Sequence, residues 1–93
     1  MSSIIDIVTM RLSDVMSLLQ YTDDYETMNR VLRQTYGDLH QYISCCEAFG
    51  SGISKYQLEM IKDTSIYVAC AMLKAKNHDR DGLIWCLQNI SHC

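Results

Sequence analysis

The sequence predicts an all-α fold, and three observations carry that prediction. The 93 residues include no proline, so the commonest helix breaker is missing. Apolar residues recur at steps of three and four along most of the chain, the spacing of one helix face. Only four glycines occur, at positions 37, 50, 52 and 82, which leaves little sequence for tight β-turns. A chain of this length fits one domain, so residues 1–93 are read as a single helical unit. So short a chain buries about 60 % of its unfolded surface, and its stability margin is expected to be thin.

The first helical segment runs from about Ser3 to Tyr21. Ile4, Val8, Leu12, Val15 and Leu19 form its inner face, widened by Ile5, Met16 and Leu18. Ser2 or Ser3 is placed to cap it, with Asp6 in the first turn. In the following TDDYETM, Thr22, Asp23 or Asp24 can cap a second segment, and Glu26 stands where a capping-box partner of Asp23 would lie. Tyr25, Met28, Leu32, Tyr36, Leu39, Ile43 and Cys46 hold helical phase across Gly37, so one helix over about 24–48 is expected, with a break at Gly37–Asp38 as the alternative. FGSGIS is the clearest loop, with Gly50 as a C-terminal cap and Ser54 as the next N-cap. From Ser54, the residues Leu58, Ile61, Ser65, Val68 and Met72 keep phase, and Asp63–Thr64 is a second point at which a helix can restart. Lys74 and Lys76 suit a helix C-terminus, and Asn77 is read as its left-handed cap. Leu83, Trp85, Cys86, Leu87 and Ile90 are the apolar positions of the last segment. Four helical segments result; breaks in the second and third would give six helices in three antiparallel hairpins.

Composition narrows the function. The net charge is −3 and the eight basic side chains are spread out, with Asp79 and Asp81 among the local cluster of Lys74, Lys76 and Arg80. Nucleic-acid binders draw most of their affinity from a basic stripe, so neither DNA nor RNA is expected as a partner. The N-terminus lacks the basic and apolar regions of a signal peptide, and no apolar run approaches the ~20 residues of a membrane span. A soluble, cytoplasmic protein is expected. The five cysteines, at 45, 46, 70, 86 and 93, show no zinc or CxxC spacing. Cys46, Cys70 and Cys86 are read as small apolar core residues in a reducing compartment, and Cys93 as an exposed thiol without a role. GSG at 50–52 lacks the lysine of a phosphate loop. His40 and Cys45 do not share a helix face, and the set Asn77, Asp79 and Asp81 lacks the glycine and distal glutamate of a calcium loop. No catalytic residue, metal site or cofactor is expected.

What remains is surface. Six tyrosines and six methionines suit adaptable protein contacts, and they favour a protein partner or a homo-oligomer. Residues 67–87, YVACAMLKAKNHDRDGLIWCL, place small Cys70 and Ala71 before a short polar turn and Gly82 after it. Small residues at a helix contact let backbones approach while bulky neighbours fill the surrounding space. Tyr67, Cys70, Ala71, Met72, Gly82 and Trp85 are therefore the candidate partner-binding centre.

This layout resembles a tetratricopeptide-like hairpin. LLQYTDDYETMNRVL is similar, with Asp24–Tyr25 at the turn, and Ser3 to Tyr36 spans close to the ~34 residues of such a repeat. Met28 stands where the family prefers a small residue, and Asn77 where it usually has glycine. A short chain with about three such hairpins is similar to the small helical chaperones of bacterial type III secretion needle subunits. The resemblance implies a virulence-associated chaperone whose concave apolar groove holds the amphipathic C-terminal helix of the needle protein, often beside a second small helical protein. The expected function is a non-enzymatic adaptor or chaperone that holds a partner's amphipathic helix. The alternative is a small inhibitor or antidote protein, of phage, plasmid or virulence origin, masking a host protein or toxin. The acidic balance would suit a basic target of that kind.

Overall fold

In the computed structural model, which describes residues 3–50 and 52–91, each of four helices starts on a capping side chain. Helix α1 spans Ile4–Tyr21, α2 Tyr25–Phe49, α3 Lys55–Lys76 and α4 Arg80–Ser91. Ser3 caps α1 by accepting from the Asp6 N–H. Asp24, rather than Asp23, caps α2; its carboxylate accepts from the Thr27 N–H at 3.1 Å and the Thr27 hydroxyl at 2.6 Å, so Glu26 is not its partner. Ser54 and Gln57 form a reciprocal capping box on α3. Asp79 caps α4 by accepting from the Gly82 N–H at 2.9 Å.

Both long helices are continuous. α2 passes through Gly37 and α3 through Asp63 and Thr64, so four helices form and the six-helix alternative is not taken. Thr64 lies inside α3, where its hydroxyl donates to the Met60 carbonyl one turn back. Thr35 does the same to Val31. That bond satisfies each hydroxyl locally and lets both threonines be buried.

The helices run up, down, up and down, joined by short turns. Arg11 of α1 pairs with Asp38 of α2, and Asn29 of α2 donates to the Met72 carbonyl of α3 at 2.9 Å. Lys62 of α3 pairs with Glu47 of α2 at 3.2 Å, at the opposite end of that helix pair. Arg80, opening α4, donates to the Leu19 carbonyl near the end of α1. α2 against α3 and α3 against α4 are the extensive contacts, and α1 packs on α2 with only light contact to α4. The core lies along the bundle axis: Val8, Val15 and Leu19 from α1, Met28, Leu32 and Leu39 from α2, Val68 and Ala71 from α3, Leu83 and Leu87 from α4.

Two of the loop expectations meet different fates. Gly50 takes the left-handed conformation, at φ 62°, and closes α2 as expected. Asn77 does not; its φ is −89°, and the left-handed residue is His78 at φ 55°. The His78 N–H reaches the Ala75 carbonyl at 3.1 Å and the Asp79 N–H reaches the Lys74 carbonyl at 2.9 Å. This is a Schellman closure with histidine in the position usually taken by glycine. His78 stacks on Tyr25, ring centroids 4.8 Å apart, which offsets the cost of its backbone conformation.

Candidate interaction surfaces

The four helices differ in length, and that difference shapes the surface. α4 has 12 residues where α3, beside it, has 22. About 15 Å of α3 therefore extends past the end of α4 at a rise of 1.5 Å per residue. Among the described residues three helices bound that end, and a hollow of about 690 Å³ opens between the N-terminal turns of α1 and α3. Ile4 and Ile5 form one wall, Tyr56, Met60 and Ile61 the other, and Tyr42 of α2 lies in the lining between them. A second hollow of about 400 Å³ follows the loose seam between α1 and α4, lined by Val8, Leu12, Met16, Leu87 and Ile90. Ile5 and Thr64 line both, so the two adjoin along α1 as one apolar groove. The Tyr42 phenol in this groove has its pKa raised, first by burial and then by the neighbouring Cys46.

The predicted binding centre on the α3–α4 hairpin divides into parts. Tyr67 and Trp85 meet across the helix pair, ring centroids 6.1 Å apart and planes tilted by 58°. Trp85 is 56 % exposed, so it is not a core residue of α4. Cys70 is also exposed, which corrects its assignment to the core; Cys46 and Cys86 are buried as expected. Ile66 and Leu73, exposed and in phase with Cys70 on the outer side of α3, extend this apolar face. Ala71 is buried in the core, and Met72 is half-buried on the flank toward α2. These six residues thus include one surface cluster, Tyr67, Cys70 and Trp85, and do not form a single patch. Cys93 and His92 lie outside the described residues.

Gly82 has a different reason from the one expected. A Cβ there would meet the Asp79 carboxylate at 2.6 Å and the Lys74 stem at 2.7 Å. The space that glycine leaves open is taken by the aliphatic part of Lys74 and by the carboxylate that caps α4. It is not taken by the backbone of α3. Lys74 and Asp79 also form an ion pair at 3.6 Å over the same spot.

Sequence reasoning did not place the groove, because no residue type marks it; it follows from how lightly α1 packs on α4. Among the described residues, no three His, Cys, Asp or Glu side chains gather as metal ligands. No helix among them is long and apolar enough to cross a membrane. The fold and surfaces define a small antiparallel four-helix bundle with an apolar groove at one end. No protein-family model, curated protein or solved structure matches the chain.

Proposed function

We propose that this protein is a non-enzymatic binding module whose groove holds an amphipathic helix of a protein partner. The observation that carries the reading is the groove itself. Apolar residues of α1, α2 and α3 line a hollow of about 690 Å³ that adjoins the α1–α4 seam through Ile5 and Thr64. A short helix with an apolar stripe is the kind of occupant such a lining suits, in the helix-in-groove mode of recognition. A chaperone or adaptor role, including one toward a secreted helical subunit, is the form of this activity that the hairpin resemblance suggests.

The test is site-specific photo-crosslinking in the source cell. A photoreactive residue is placed at Ile5 or Met60 in the groove and, as the control, at Gln34 on the exposed face of α2. The expected result is an adduct from the groove positions alone, mapped to an amphipathic segment of one partner. A synthetic peptide of that segment should then raise the melting temperature of the purified protein. Adducts arising equally from Gln34, or mapping to non-helical segments, refute the groove as the binding site.

A further inference from the structure

Cys70 and Cys86 occupy facing positions on the antiparallel α3–α4 pair. Lys74 lies over Gly82, its Cδ within 2.7 Å of where a Cβ would be. One helical turn along each helix from that contact stand Cys70 and Cys86. The Tyr67 and Trp85 rings also meet across this helix pair, centroids 6.1 Å apart. At this level the Cys70 thiol is among the neighbouring groups that act on the Cys86 thiol, together with Lys74 and Asp79. The accessibility of the two thiols is opposite: Cys70 is exposed and Cys86 is fully buried. Cys45 and Cys46 also pair an exposed with a buried thiol, but as neighbours on one helix they point to different faces.

We propose that Cys70 and Cys86 are a peroxide-responsive dithiol that closes to a disulfide between α3 and α4. Cys70, the thiol that solvent reaches, attacks one oxygen of hydrogen peroxide as its thiolate. The O–O bond breaks, Cys70 becomes a sulfenic acid, and the departing hydroxide takes up the thiol's proton as water. The Cys86 sulfur then attacks the Cys70 sulfur. The S–O bond breaks, and the second hydroxide leaves as water with the Cys86 proton. Peroxide accepts two electrons and two thiols become one disulfide. Burial raises the Cys86 pKa, which suits a thiol that stays inert until a sulfenic acid forms beside it. The crosslink would fasten the two helices that carry the exposed Ile66, Leu73 and Trp85 face.

The experiment treats the reduced full-length chain with hydrogen peroxide, blocks the remaining thiols and maps the peptides. The expected product has lost two hydrogens and joins the peptide of Cys70 to that of Cys86, with fragmentation separating Cys86 from Cys93. Cys70→Ser, a surface change, should abolish the crosslink. Cys86→Ala should leave a Cys70 sulfenic acid that a dimedone probe traps. Crosslinks to Cys45 or Cys93 in preference, or oxidation of Cys70 no faster than that of exposed Cys45, would overturn the proposal.

Discussion

Replacing Gly82 by alanine sets two effects of similar size against each other. An alanine in a helix interior is worth about 1 kcal/mol over glycine. At Gly82 the new methyl would lie 2.6 Å from the Asp79 Oδ2 and 2.7 Å from the Lys74 Cδ. The Lys74 stem can swing away, giving up a surface ion pair worth less than about 1 kcal/mol. Asp79 cannot move without releasing the Gly82 N–H it caps, a loss of about 1 kcal/mol. If both stay, the crowding costs about 1–3 kcal/mol. Set against the propensity gain, the net expectation runs from no stabilisation to a loss of about 2 kcal/mol, which for a domain of this size lowers Tm by up to roughly 15 °C. Gly37→Ala is the internal control, since no atom lies within 4 Å of its added Cβ and its φ is ordinary. It should gain the full propensity term, about 1 kcal/mol. Thermal unfolding followed by far-ultraviolet circular dichroism measures both. A Gly82→Ala protein as stabilised as Gly37→Ala would refute the close packing of Lys74 and Asp79 on that glycine.

Leu32, fully buried at the centre of α2, should lose about 2–5 kcal/mol when cut to alanine, read as a lower urea midpoint at unchanged m-value. Asp24→Ala should destabilise the protein at neutral pH, with a difference from the parent that disappears in acid. The Thr27 hydroxyl and then its N–H hold the Asp24 pKa below the ordinary 3.8, so its contribution is complete above that value. It is lost as pH falls through the folded-state pKa, and melting both proteins across that range checks the sign.

The helical order was legible because periodicity and caps agreed along the chain. Val8, Leu12, Val15 and Leu19 are buried as their spacing requires, and α2 runs through Gly37 because its apolar phase never slips there. Ser3, Gly50 and Ser54 act where local chemistry placed them. The misses depend on tertiary contacts. The left-handed residue falls one position beyond Asn77, where the His78 ring can lie on Tyr25. Trp85 and Cys70 have core chemistry but stand on the outer face of the hairpin, and composition does not report orientation. Thr35 and Thr64 are buried because each hydroxyl finds a carbonyl one turn back, a partner that a hydropathy pattern does not register.

The closure at His78 has a mechanical consequence. At that end of the molecule the turn before α4 is stacked on the first residue of α2, while Arg80 holds the last turn of α1 and Asn29 the last turns of α3. At the other end the link between α2 and α3 that faces water is an exposed ion pair, Lys62 with Glu47. These side-chain ties gather at the His78 end of the bundle. Fluctuations should loosen the other end first, so amide protons in the first turns of α1 and α3 exchange ahead of those around Leu19 and Met72.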